Sequence, residues 1–396
     1  MEKLKDKIKQ KVDMIDQDLI NLSKNIHANP ELSFQEFKAV GWLKDLMAQH
    51  NFKVESPLGE LATAFKARYT RLPGGPRVAF LAEYDALRGK GHACGHNIIA
   101  ACAAGAAIGL SAVLDQMPGE VILLGTPAEE GGGGKILLIE AGEFAQLDYA
   151  LMIHPGNSNI IGRGGLAATL VTVEFKGKAA HSSGPERGIN ALQALIEVFK
   201  GIDSIRGSLR GDVKINGIIK NGGEASNIIP DYASGEFTVR AATRDYLQQI
   251  LARINDLVRA AELITGAKAS ISSSLIYAER YPNLVMAEKF KENMAGLGEQ
   301  MCYPDPGESL GSSDIGNVSM VVPTIHSYLR ITEKAISGHT EEFAAAAISS
   351  RAEEVIIKGA KGLALTGFDI LREQGLRAAI HREFNQVVPG REGASK

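Results

Sequence analysis

Residues Val78–Leu114 read VAFLAEYDALRGKGHACGHNIIAACAAGAAIGLSAVL. The opening VAFLA is a continuous apolar run of strand length. The closing IIAACAAGAAIGLSAVL, Ile98–Leu114, is a helix of small apolar residues. Between them lie Glu83, Asp85, Cys94 and His96. A strand that is apolar on both faces belongs inside a parallel sheet covered by helices. The helical stretch is nearly long enough to span a bilayer. It nevertheless follows directly on a polar cluster, is mostly alanine and glycine, and has no interfacial aromatics or basic flank. It reads as a helix buried in a soluble core, with small residues that allow close approach to a sheet.

The pattern repeats on moving outward. Val121–Gly125 (VILLG) leads into Thr126, Pro127, Ala128, Glu129 and Glu130, and Tyr149–Ile153 (YALMI) leads into His154. Helical stretches are expected near 97–114 and 133–146. Strands alternating with helices imply a parallel-rich α/β sheet, and each strand delivers polar residues at its carboxyl end, where open α/β sheets place their sites.

After Gly164 the pattern changes. Leu170–Phe175 alternates as a half-exposed strand. A helix near 188–203, strands near 212–220 and 233–242, a helix near 244–265 and a strand near 268–277 follow. The order β-α-β-β-α-β suggests a ferredoxin-like α+β domain. Beyond Pro282 come a helix, a strand over Thr324–Ile331 and a long helix from Glu341. The expected organisation is one larger domain, 1–166 with 281–396, interrupted by a smaller one, 167–280. The tail Pro389–Lys396 carries no pattern and is expected to fray.

Length agrees with two domains, since 396 residues exceed one ordinary core. A net charge of -3 leaves no basic footprint for nucleic acid and no polybasic membrane patch. Cys94, Cys102 and Cys302 are too few and odd in number for a disulfide framework, which points to a reducing, cytoplasmic setting. The first residues, MEKLKDKIKQKVDMIDQDL, are charged and helical in period, without the apolar centre of a signal peptide.

The chemistry concentrates at the strand ends. Cys94, His96, Glu129, Glu130, His154 and, in SGHTEEF, His339 offer thiolate, imidazole and carboxylate, the donor set of a borderline metal. Adjacent glutamates suit a division of labour, one binding metal while its neighbour takes a proton from a water at the metal. Each residue alone has a plainer reading. A cysteine in an alanine-rich stretch is usually a small hydrophobe, as Cys102 is read here. His27, His50, His326 and His381 are read as core or surface residues. Joint placement at successive strand ends favours a metal site. The glycines before Lys135 are not a phosphate loop, because Ile136 stands where Ser or Thr is needed.

Together, AEYDALRGKGHACGHN, TPAEEGGGGK, IHPG, AHSSGPERGINAL, GGEASNIIPD and SGHTEEF resemble the metallopeptidase family of aminoacylases, carboxypeptidase G and indole-acetyl-amino-acid hydrolases, as does the N-terminal IHANPELSFQE. Within that family the chain is most similar to the branch of aminoacylase-like dipeptidases and aminobenzoyl-glutamate hydrolases. The resemblance spans about residues 20 to 365. It implies a catalytic α/β domain with an inserted lid that also dimerises, and two divalent metal ions per subunit (zinc or manganese, with cobalt or nickel as further options). It implies Cys94, His96, Glu130, His154 and His339 as metal ligands, with Cys94 bridging, and Glu129 as general base. It implies Asp85 as a support of the metal site from behind. It further implies that His181 steadies the oxyanion across the dimer and that Asn227 and Arg240 hold the substrate's carboxylate. The implied activity is hydrolysis of an amide bond in an N-acyl amino acid or dipeptide-like substrate. A catalytically silent binding homologue, or a hydrolase of an ester or carbamoyl bond, are the alternatives. Two departures stand out: Asn97 and Ala100 replace an Asp and a second His, and Arg88 replaces a proline after DAL. Asn97 is expected to play an outer role.

Overall fold

The computed structural model describes residues 2–308 and 310–391. The last five residues of the tail expected to fray therefore lie outside the described residues. The chain forms two compact units, Met1–Gly164 with Arg280–Lys396, and Gly165–Glu279.

The first unit opens with α1 (Glu2–Asp13), α2 (Asp16–Ala28) and α3 (Phe37–Gln49). Then follow β1 (Lys53–Glu55), β2 (Phe65–Thr70), β3 (Arg77–Ala82), α4 (His96–Ser111), β4 (Glu120–Gly125), α5 (Gly134–Glu140) and β5 (Tyr149–Gly156). The six-stranded sheet has the order β1-β2-β4-β3-β5-β12, where β12 is Thr324–Arg330. The three apolar runs of the sequence are β3, β4 and β5, and these pair in parallel, as does β12 with β5. β1 and β2 add an antiparallel edge. Their sequences, KVE and FKARYT, mix charge into short segments and so suit the rim of a sheet.

α4 is buried along its whole length. Its glycines face other helices and not the sheet they were expected to approach. A Cβ at Gly105 would come within 2.6 Å of Leu19 in α2 and 2.9 Å of Ala360. The helix expected over 133–146 stops at Glu140, with Gly142 beyond it at φ 81.

The second unit contains β6 (Ala167–Lys176), β7 (Ala180–His181), α6 (Ala191–Arg206), β8 (Lys214–Asn221), β9 (Ile228–Ile229), β10 (Tyr232–Ala241), α7 (Arg244–Thr265) and β11 (Lys268–Ser273). Its four long strands form an antiparallel sheet in the order β11-β6-β10-β8. This is the ferredoxin-like arrangement, with the short β7–β9 ribbon added. Alternate residues Val171, Val173, Phe175, Phe237 and Val239 are buried in one core with α6 and α7. Asn190 and Thr243 cap the two helices, accepting from the backbone N–H of Gln193 and Tyr246.

The first unit resumes with α8 (Leu284–Ala295), α9 (Ile315–Ser319), β12, α10 (Glu341–Ala346), α11 (Ser350–Arg372) and α12 (Gln374–Val387). The single long helix expected from Glu341 is thus divided. Ser349 caps α11 by accepting from the Ala352 N–H, which ends α10 and restarts the helix. Among the described residues no helix is long and apolar enough to cross a membrane.

Candidate metal centre

β3 leads directly into Glu83, Tyr84 and Asp85, all buried. The Asp85 carboxylate ties three segments together. Its Oδ1 lies 2.9 Å from His96 Nδ1, and its Oδ2 accepts from Ser33 Oγ at 3.1 Å and from the Glu130 N–H at 3.0 Å. With Nδ1 donating to Asp85, His96 turns its Nε2 lone pair toward Glu83, Glu129 and Glu130, at 3.4, 3.8 and 3.9 Å.

Gly95 makes this possible. Its φ of 79 turns the chain sharply between Cys94 and the start of α4, and a Cβ there would lie 2.5 Å from Pro155. His154 Nδ1 donates to its neighbour's carbonyl, Pro155 O, at 2.7 Å, which leaves Nε2 facing Cys94 Sγ at 3.5 Å. His339 Nε2 lies 3.6 Å from Glu130 Oε1, and His339 itself is left-handed at φ 64. Strain of that kind in a non-glycine residue is common at functional sites.

Cys94 belongs to two groups of potential ligands, one with His96 and His154 and one with Glu130 and His339. His96 belongs to another, with Glu129 and Glu130. The donor atoms of each group lie within 4.8 Å of one another. Bonds of about 2.0–2.3 Å to a shared ion require separations of this order. Two buried atoms, His96 Nε2 and Glu130 Oε1, have no hydrogen-bond partner among the described residues. A cation between them would satisfy both, so the residues fit a metal.

The electrostatics agree. Burial holds His154 down at about 4, hence neutral and able to ligate. Burial likewise pushes the Cys94 thiol up, and thiolate formation there calls for a cation. Burial works against charge on His96, but Cys94 and Asp85 outweigh it and raise its pKa well above the ordinary value. That field favours positive charge against its Nε2. Burial, followed by Glu83 and Glu130, raises the Glu129 carboxyl well above the carboxylate range, as befits a proton-carrying group.

Several contributors escaped the sequence reading. Lys135 is fully buried, with Nζ 2.5 Å from Glu83 Oε1 and 2.7 Å from Asp314 Oδ1, and its N–H donates to Asp314 Oδ2 at 3.0 Å. Asp314, Glu83 and Glu129 form a further acidic group. Glu83 could have been found by its position at a strand end; nothing local marks Asp314. His326, read as a plain core or surface residue, is buried with its ring 5.5 Å from that of His154. Asn97, expected in an outer role, is buried and donates to Ser23 Oγ and Ala347 O.

A cavity of ≈ 250 Å³ borders Cys94, His154 and His339, and Arg163, Glu308 and Tyr328 line its other side. A larger groove of ≈ 600 Å³ runs along β1 and β2, at the amino end of β4 and so away from these donors.

The other three candidates belong to the second unit. His181 and Asn227 meet in the β7–β9 ribbon, where His181 pairs with Ile228 and the Ser182 N–H donates to Asn227 O at 2.9 Å. The exposed His181 holds Ser183 Oγ at 2.8 Å through Nδ1. Arg240 lies near the end of β10, opposite Ala168 and Lys214, on the face away from Phe237 and Val239. The structure brings the first two together and sets Arg240 apart from them on the long sheet.

Comparison with known proteins supplies context. A family profile described as a peptidase dimerisation domain matches residues 161–265. The chain is 39% identical to the Xaa-Arg dipeptidase of Mus musculus, covering 97% of this chain and 93% of that protein. It is 24% identical to a p-aminobenzoyl-glutamate hydrolase chain of Escherichia coli, covering 93% and 92%. A solved dinuclear metal binding peptidase of Bacillus subtilis from the M20 family superposes with a TM-score of 0.66 at 21% identity, over 89% of this chain and 98% of that one.

Proposed function

The chain belongs to the M20 family of metal-dependent amidohydrolases and peptidases, and from that premise we propose that it hydrolyses the amide bond of a dipeptide or N-acyl amino acid with a free carboxylate. The observation that carries this reading is the placement of Glu129, 3.8 Å from His96 Nε2, beside a donor set whose His96 Nε2 and Glu130 Oε1 lack partners. We assign Cys94, His96, Glu130, His154 and His339 as the ligands of two divalent ions, zinc by the thiolate and imidazole donors or manganese by the carboxylate. Such ions, when bound, acidify a water and polarise the amide carbonyl.

The protein's own residues do the rest. Glu129 takes the proton of the attacking water and returns it to the leaving nitrogen. Asp85 fixes the His96 ring and, through the Glu130 N–H, the glutamate loop. His181 donates to the developing oxyanion, while Asn227 and Arg240 hold the carboxylate. We assign the unit with the dimerisation-domain match to a homodimer contact and the chain to the cytoplasm, the latter from its cysteine usage.

The test is hydrolysis of a panel of dipeptides and N-acyl amino acids after loading with zinc or manganese. Glu129→Gln is expected to lower turnover by about a hundred- to ten-thousand-fold with its metal content intact. Glu130→Gln should instead lose metal. A Glu129→Gln protein that kept most of the rate would remove Glu129 from the mechanism.

A further inference from the structure

Tyr328 on β12 is the register partner of His154 on β5. Its ring is held from several sides. His154 and His326 lie 5.3 and 5.0 Å from it, centroid to centroid, and the Arg163 guanidinium covers its face at 4.9 Å. Its hydroxyl accepts a long hydrogen bond from Arg280 Nη1, at 3.4 Å. A phenol that accepts from a guanidinium keeps its own proton for another partner, and the adjacent charge strengthens it as a donor.

Arg280 is 7% exposed, yet among the described residues no carboxylate pairs with it. Nη1 also bonds to His326 Nδ1, and Nε has no partner. An imidazole can offer Arg280 a lone pair but never a negative counter-charge. Glu308 is engaged with Arg163 at 2.8 Å, and Asp314 and Glu83 with Lys135. A buried guanidinium without a counter-ion is unfavourable, and it marks the wall behind Tyr328 as positive.

Tyr328 and Arg163 line the cavity that also borders Cys94, His154 and His339. A carboxylate in that cavity would supply both missing parts, an acceptor for the Tyr328 proton and a negative charge facing Arg280. We propose that Tyr328, with Arg280 behind it, binds a carboxylate of the substrate from within the unit that carries the metal donors, making this unit itself selective for anionic substrates. Tyr328 is the binding residue, and Arg280 is a positioning residue that acts through it. The inference rests on the amide-hydrolase reading above.

The experiment compares N-acetylalanine with N-acetylalaninamide. Calorimetric titration in the metal-loaded Glu129→Gln protein measures binding without turnover, and kcat/KM in the active protein measures hydrolysis. With Tyr328→Phe the acid-over-amide ratio of affinities is expected to fall about tenfold, the value of one hydrogen bond to a charged group. Arg280→Met should shift the ratio in the same direction and add nothing further in combination with Tyr328→Phe. A general structural role would weaken acid and amide alike. An unchanged ratio, or equal losses on both ligands, overturns the proposal, and additive losses remove Arg280 from it. Should Arg280→Met fail to fold, Tyr328→Phe decides alone. A shifted binding ratio without any turnover of either compound would sink the hydrolase reading and leave this one standing, while turnover with an unshifted ratio would do the reverse.

Discussion

Glu36 is fully buried and holds the loop that carries the proposed base. Its Oε1 accepts from the Ala128 N–H at 2.9 Å and its Oε2 from Thr63 Oγ1 at 2.7 Å. Ala128 is left-handed at φ 58, a conformation that alanine adopts at a cost of about 1–2 kcal/mol. The carboxyl therefore stabilises a strained turn next to Glu129. Burial raises the Glu36 pKa from 4.5 to about 7. The folded chain keeps a proton there that the unfolded chain releases above 4.5. This contribution to stability is complete below that value and is lost as pH rises through about 7, roughly 3 kcal/mol in all. Urea midpoints across that range should fall with pH in the native protein and fall less in Glu36→Gln. Parallel slopes would assign the effect to another group. Lys135 supplies a second residue-level expectation. Lys135→Met leaves Glu83 and Asp314 facing each other in a dry interior, and urea unfolding should show a loss of about 3–5 kcal/mol. A loss under about 1 kcal/mol, the range of exposed pairs, would mean that water reaches the site.

The turn between β3 and α4 decides whether Cys94 and His96 reach one place. Its tightness depends on Gly95, which adopts φ 79 and packs against Pro155. Gly95→Ala adds about 1–2 kcal/mol of backbone strain and a clash with the proline ring. The expected outcome is a lower melting temperature together with loss of bound metal by elemental analysis. Full metal content in a folded Gly95→Ala protein would show that the turn does not set the ligand geometry. The apolar runs of β3, β4 and β5 were legible because strands buried on both faces must be apolar throughout. The breaks in the helices were harder to see. A serine cap such as Ser349 looks like any surface serine until its side chain is found accepting from Ala352.

At the scale of the whole molecule, the chain folds as two separate units, and His181, Asn227 and Arg240 belong to the one without the metal donors. If His181 serves the site of a second copy, inactive His181→Ala and inactive Glu129→Gln chains should recover part of the activity when mixed under conditions of subunit exchange. Each hybrid dimer would then contain one intact combination. Exchange without recovery would place His181 in its own subunit's chemistry or outside the reaction.

The order of the longer elements, the parallel core of the first sheet and the donor types at the strand ends were determined by the sequence itself, since periodicity and residue chemistry are local properties. Cys94, His96, Glu129, Glu130 and His154 could be singled out because each follows a strand that points the same way. Tertiary structure alone decided the rest. Asp314 is 179 residues from Lys135, and Arg280 is 46 from His326. Burial alone turns Lys135 from a lysine after a run of glycines into the centre of an ion network. Packing likewise turns Tyr328 from an ordinary strand residue into part of the wall of a cavity, with the ring of His326 beside it. A charge takes its meaning from the medium and partners around it, and those are fixed only when distant segments close over it.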